Sequence, residues 1–181
     1  NCREGEMDAW IDLQANDPLQ APMLRNYLLD YFRGVYAPEG DRFYKNCVFA
    51  VDRADVPAGT VFIWKAYNRV NTVHWFKVRP ALEGRGIGRA LLSHVLCALP
   101  ADGYPVFLHT HPSSCRAIKL YADFGFRFLT DPKVGSRENG LEASMPILKE
   151  LMPEAAFAAL KTISAPHFFL DAADSSSVSQ F

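Results

Sequence analysis

The chain has 181 residues, of which 49% are hydrophobic and 22% charged, an ordinary globular composition and enough length for one domain with a core. Its formal net charge of -1 offers no overall attraction to nucleic acid or to an acidic membrane, so neither is expected as a partner and any positive character must be local. Cys2, Cys47, Cys97 and Cys115 are scattered without a Cys-x-x-Cys pair, which argues against a zinc knot or redox motif and for free thiols in a reducing compartment. No apolar run approaches the roughly 20 residues that cross a bilayer. No secretory leader opens the sequence, so a cytoplasmic protein is expected. The start at Asn1, without an initiator methionine, leaves room for missing upstream residues, an N-terminal strand among them.

Residues 7–15 and 22–32 predict two helices, the second with Met23, Tyr27, Leu28 and Tyr31 at three- and four-residue spacing; Asp17-Pro18 and Pro22 punctuate them. Tyr27, Tyr31, Phe32, Tyr36, Phe43 and Tyr44 crowd this region, where they either fill the core, the commoner use, or line a pocket. β-Branched and aromatic residues dominate 47–51, 60–67 and 72–78, with turn-forming residues between them, which predicts an antiparallel meander of three strands.

The stretch from Val78 to Leu92 follows the third strand and carries Gly84, Gly86 and Gly88 in alternation. Glycine permits backbone conformations that side chains forbid and lets a ligand approach the main chain without meeting a Cβ. The helix predicted over about 86–99 points its unpaired amides and positive dipole end into that loop, and Arg85 and Arg89 add charge. A phosphate or pyrophosphate suits this cradle, whereas a simple tight turn needs only one or two special positions. Two other phosphate loops are excluded. Gly88 is followed by Arg89 and Ala90, not by the Gly-Lys-Ser/Thr of nucleoside triphosphatases, and Arg89 stands where a dinucleotide fingerprint needs its last glycine.

Leu91, Leu92, Val95, Leu96 and Leu99 form an apolar stripe on the helix after the loop, which Pro100 and Gly103 end. Residues 106–111 predict a short strand, parallel to the third meander strand because a helix crosses between them. Ser113 or Ser114 can cap a second helix that buries Ala117, Ile118, Tyr121 and Phe124 and stops at Gly125. Residues 126–129 and 141–148 read as closing strands joined by a polar loop, 153–162 as one more helix, and 164–181 as a loosely held, serine-rich tail.

This order of elements, with two motifs, resembles the GNAT superfamily of acetyl-CoA-dependent N-acetyltransferases over most of the chain. The family's cofactor signature falls on Glu83-Gly84-Arg85-Gly86-Ile87-Gly88, with Glu83 where members carry Gln or Arg. The second motif appears as Ala117-Ile118-Lys119-Leu120-Tyr121 and Gly125-Phe126. The resemblance implies an α/β fold of the α+β kind: a mixed, mostly antiparallel sheet flanked by helices, with two strands splayed apart to admit acyl-CoA. It implies a domain over 1–152, with 153–181 as a C-terminal helix and tail. The pantetheine arm of acetyl-CoA would pair with Phe76, Lys77 and Val78, and the pyrophosphate would rest on the amides of Arg85, Gly86, Ile87, Gly88, Arg89 and Ala90. Ser114 stands where many members have an asparagine near the cofactor, and its hydroxyl has shorter reach.

The activity implied is acetyl transfer from acetyl-CoA to a primary amine, small-molecule or protein, which needs a neutral nucleophile, support for an oxyanion and a proton for the leaving thiolate. Tyr121 suits the last task by resemblance, a phenol of reference pKa about 10 being protonated at neutral pH; packing on its helix is the other reading. Thr72, His74, His109 and His111 occupy the strand stretches where members place a glutamate base, and His74 or His109 is expected to act directly or through water, packing histidines being the bland reading. A backbone amide near Phe76 or Lys77 would support the oxyanion. No third ligand joins the histidine pair at a metal-site spacing, so no metal is expected. A catalytically silent acyl-CoA-binding module is the competing reading, motivated by Glu83, Ser114 and the missing glutamate. Neither a monomer nor a homodimer is selected.

Overall fold

The computed structural model describes residues 1–15, 21–175 and 180; Asp17-Pro18 and the last residues of the expected tail lie outside them. The described chain divides into two units, Asn1–Lys65 with Asn71–Phe107, and Ala66–Val70 with Leu108–Phe181.

The first unit opens with α1 (Met7–Gln14) and α2 (Ala21–Tyr31), the two helices that the apolar spacing predicts. A wide helical turn over Phe32–Tyr36 and the short α3 (Arg42–Asn46) lead into β1 (Val48–Val51), β2 (Pro57–Ala66) and β3 (Val70–Val78). The main sheet has the order β1-β2-β3-β4, where β4 is Val106–Phe107. β1 and β2 are antiparallel, and β3 and β4 are parallel, with Asn71 opposite Val106 and Thr72 opposite Phe107. The parallel ladder requires the crossover supplied by α4 (Ile87–Cys97), whose Leu91, Leu92, Val95 and Leu96 are buried. Gly59 of β2 sits where an added Cβ would lie 2.9 Å from both Leu91 Cδ1 and the Lys77 carbonyl, so absence of a side chain there lets α4 and β3 close on β2.

The core of this unit is aromatic. Trp10, Tyr36, Phe43, Phe62 and Trp64 are fully buried, with Tyr36 at 4.8 Å from Trp64 and Trp10 at 5.2 Å from Phe43, both edge to face. Such pairs contribute about 0.5–1.5 kcal/mol each beyond the area they bury. Of the crowded aromatics, Tyr36 and Phe43 fill the core, whereas Tyr27 is 54% exposed and Tyr31 half-buried.

The second unit holds α5 (Cys115–Asp123), β5 (Phe128–Leu129), the hairpin β6 (Lys133–Val134) and β7 (Arg137–Glu138), α6 (Leu141–Leu151), α7 (Glu154–Ala158), β8 (Thr162–Ile163) and α8 (His167–Asp174). Gly125, at φ +87°, closes α5 as predicted. Three expectations change. Residues 141–148 form the start of α6 and not a strand, because Leu148 and Met152 share a helical face that packs with Ile118 of α5, Phe128 and Phe157; Pro146 lies on the exposed side. The strand expected over 106–111 stops at Phe107, where its ladder with β3 ends. The tail expected after residue 164 contains α8, anchored by buried Phe169, Ala172 and Ala173 at helical spacing, and Thr162–Ile163 extends not a helix but a parallel pair with β5.

Candidate functional site

The glycine loop begins where β3 ends. A short turn over Pro80–Leu82 precedes Glu83, and the chain then passes Gly84 at φ +76° and Gly86 at φ +82°, the latter being the N-cap of α4. Both conformations are left-handed, which is the physical reason for glycine at these places, and no atom lies within 4 Å of where a Cβ would stand. Gly88 falls inside the first turn of α4. The first intrahelical bond runs from the Ala90 amide to the Gly86 carbonyl at 3.0 Å, so the amides of Ile87, Gly88 and Arg89 precede the helical ladder. Arg85 and Arg89 are exposed beside them. Open space over the main chain, leading amides, the helix dipole and two guanidinium side chains fit an anionic group such as a pyrophosphate.

β3 carries the second feature. Trp75, in its middle, has φ +49°, a conformation that a bulky residue adopts at a cost of about 1–3 kcal/mol. Side chains alternate along a regular strand, yet those of His74 and Trp75 reach the same atom. The Tyr36 hydroxyl lies 2.6 Å from His74 Nδ1 and accepts the Trp75 Nε1–H at 2.9 Å. The buried Gln14 amide donates to the Trp75 carbonyl at 2.8 Å. The backbone kink is therefore fixed at its carbonyl from α1 and at its side chain from the turn after α2. Phe76, Lys77 and Val78 follow it, half-buried, beyond the end of the β3–β4 ladder at Thr72–Phe107.

His74 is 4% exposed and its Nε2 meets no partner among the described residues. Burial pushes its pKa down to about 3, so the ring is neutral across the physiological range. Tyr36, equally enclosed, has its phenol raised by burial first, then by the neighbouring Tyr31.

The remaining candidates belong to the second unit. Tyr121 lies on the buried face of α5, 8% exposed, with its ring 5.8 Å from Phe126, and burial raises its phenol above the usual tyrosine value. His109 follows β4 outside the sheet and is exposed; Arg137 Nη1 stands 3.0 Å from its Nδ1 and 3.1 Å from its Nε2, and the His111 ring lies 5.1 Å away. Partial burial, then the charges of Arg137 and His111, lower the His109 pKa to about 4. Ser114 occupies the N-cap of α5, exposed, without a side-chain capping bond. Among the described residues no cluster of His, Cys, Asp or Glu is placed to hold a metal ion, and no helix is long and apolar enough to cross a membrane.

Sequence reasoning missed Gln14, Tyr36 and Trp75 as supports of this strand. No local signal pointed to them, because each support comes from a residue distant in the sequence.

A model of the acetyltransferase (GNAT) family matches residues 11–126. Over 131 residues the chain is 30% identical to mycothiol acetyltransferase of Kineococcus radiotolerans, a stretch that covers 71% of this chain and 42% of that relative. The chain thus spans less than half the length of the curated relative. Among solved structures, PH1933 from Pyrococcus horikoshii OT3 matches with a TM-score of 0.51 at 23% identity, covering 74% of this chain and 88% of its own. An acetyltransferase from Trypanosoma brucei matches with a TM-score of 0.43 at 19% identity, covering 72% and 92% respectively. With the family model spanning well over half of its residues, the chain belongs to the acetyltransferase (GNAT) family.

Proposed function

We propose that this protein transfers the acetyl group of acetyl-CoA to a primary amine by direct attack of the neutral amine on the thioester. The observation that carries the reading is the loop of left-handed Gly84 and Gly86 at the N-terminus of α4, open above its main chain and following directly on β3. The pyrophosphate is assigned to the amides of Arg85 to Ala90, with Arg85 and Arg89 as its charge partners. The pantetheine arm is assigned to Phe76, Lys77 and Val78, and the Ser114 hydroxyl to a supporting hydrogen bond. Acetyl-CoA supplies the activated carbonyl and a thiolate leaving group.

The protein's own groups then have three tasks. A backbone amide near Phe76 or Lys77 stabilises the oxyanion that develops on the thioester carbonyl, and the fixed kink at Trp75 sets that amide's direction beforehand. Tyr121 is assigned the proton that the sulfur receives. Transfer from a phenol raised above its usual pKa of about 10 to a thiolate near 8.5 is uphill, so Tyr121 donates as the C–S bond breaks and recovers its proton from the amine. His109 is the better placed of the two candidate bases, because its exposed ring can pass a proton to water while His74 is enclosed. With pKa values lowered to about 4 and about 3, both histidines are weak bases. Positioning is therefore assigned most of the acceleration, and His74 the support of Tyr36.

The curated relative's name ties that protein to mycothiol. Its acceptor is not assigned to this chain, which matches 42% of the relative's length. A cytoplasmic setting, a small-molecule or protein amine as acceptor and a homodimer as one candidate form complete the reading. The weak bases favour one competing reading, a silent acyl-CoA-binding module. Thiol release measured with acetyl-CoA and a broad panel of amines decides between them: amine-dependent release supports the transferase, and acetyl-CoA binding with no release for any amine supports the module.

A further inference from the structure

Trp75 is a half-exposed side chain held with unusual firmness. Its backbone sits at φ +49°, its carbonyl receives the Gln14 amide and its indole N–H is taken by Tyr36. A tryptophan that served only as packing would gain nothing from a strained backbone and a ring left partly in solvent. The firmness makes sense if the ring is a preformed wall, since a surface ordered in advance loses little freedom on binding.

Two further rings complete that wall. Tyr31 lies 5.7 Å from Trp75 and Tyr27 lies 6.3 Å from it, and the tyrosines are 6.0 Å from each other, one turn apart on α2. Tyr27 is 54% exposed. The charges nearby on α2 are engaged with other charges: Arg25 pairs with Asp12 and with Asp8 at 4.0 Å, and Asp30 pairs with Arg33 at 3.6 Å. The three rings are uncharged with phenolic edges, and the charges beside them are paired with one another.

We infer that Tyr27, Tyr31 and Trp75 form the acceptor subsite, and that the acceptor is a primary amine carried on an aromatic body. The inference rests on the proposed binding of acetyl-CoA along β3, which places Trp75 immediately before the strand residues assigned to the pantetheine arm. The attacking nitrogen has to reach the acetyl carbon, so the rings contact the rest of the molecule and not the amine. A flat aromatic body suits offset or edge contacts with such rings, whereas the carboxylates beside them that a linear polyamine would use, Asp12 and Asp30, are already paired with Arg25 and Arg33.

The test compares thiol release with 2-phenylethylamine, butylamine, 1,4-diaminobutane and glucosamine, in the wild type and in Tyr27→Ala, a substitution at an exposed helix position. The expected result is a kcat/KM for 2-phenylethylamine at least tenfold above that for butylamine. Tyr27→Ala is expected to erase most of that advantage through a rise in the KM for 2-phenylethylamine that exceeds any rise for butylamine, while acetyl-CoA affinity in calorimetric titration is retained. Preference for the diamine or for glucosamine, or an equal effect of Tyr27→Ala on all amines, would overturn the subsite while leaving the transferase reading intact. Absence of acetyl-CoA binding would instead overturn the transferase reading. Equilibrium dialysis of 2-phenylethylamine against the wild type and Tyr27→Ala then decides the subsite by itself, and equal or undetectable binding to the two counts against it.

Discussion

The side-chain amide of Gln14 donates to the carbonyl of Trp75 at 2.8 Å, joining residues 61 positions apart in the chain. The bond ties α1 to the one residue of β3 with a left-handed backbone. The Gln14 donor is buried and the bond part-buried, so removing the donor leaves the Trp75 carbonyl short of a partner. Gln14→Leu is expected to destabilise the protein by about 1–3 kcal/mol in urea unfolding and to change the tryptophan near-ultraviolet circular dichroism, because the indole loses its fixed setting. Unchanged stability together with an unchanged spectrum would show that the kink holds without Gln14.

His74 gives the stability a pH dependence of definite sign. Its folded pKa of about 3 lies below the usual histidine value of 6.5, so the unfolded chain takes up a proton that the folded one refuses. Stability is full above pH 6.5 and is lost as the pH falls through the window from 6.5 toward 3, by up to about 1.4 kcal/mol per pH unit. His74→Gln, which keeps a polar partner for Tyr36 and does not titrate, should flatten the fall of the urea midpoint between pH 7 and pH 4.5. A variant with the wild-type slope would assign the acid sensitivity elsewhere.

The parts of the fold legible from the sequence are those where one local period dominates. The stripe Leu91, Leu92, Val95 and Leu96 defines α4, the β-branched runs define the meander, and alternating glycines mark the turn into the helix. Residues 141–148 misled because Pro146 argues against a helix, and the cost of proline is met here by a helical face that buries Leu148 and Met152 against α5. Composition hid α8, because Ser164 before it and the serine run from Ser175 after it obscure a short helix whose Phe169, Ala172 and Ala173 fall on one face. Of the candidate site, the glycine loop was readable because its conformational demands are local. The tie of Trp75 to Gln14 and Tyr36 was not, because hydrogen bonds between residues far apart in sequence leave no periodic trace.

Tyr121→Phe removes the proton donor and keeps the ring that packs beside Phe126. A fall in kcat by roughly 10²- to 10⁴-fold is expected, with acetyl-CoA affinity preserved in calorimetric titration. A variant with full kcat would reduce Tyr121 to a packing residue.

Glu83 places an exposed carboxylate at the family's Gln or Arg position, next to a predicted anion site. Exposed charge pairs amount to about 0–1 kcal/mol, so Glu83→Gln should raise acetyl-CoA affinity by less than about fivefold at physiological salt. A larger gain would mean that the native loop repels the cofactor.

The loop assignment itself is tested most directly by calorimetric titration of acetyl-CoA into the wild type and Gly86→Val. Gly86 combines φ +82° with open space around it, so a β-branched side chain there strains the N-cap of α4 and stands over the leading amides. Saturable binding to the wild type is expected, with at least tenfold weaker affinity for a Gly86→Val protein that remains folded by circular dichroism. No binding to the wild type, or equal affinity for both proteins, would rule out the loop as the cofactor cradle.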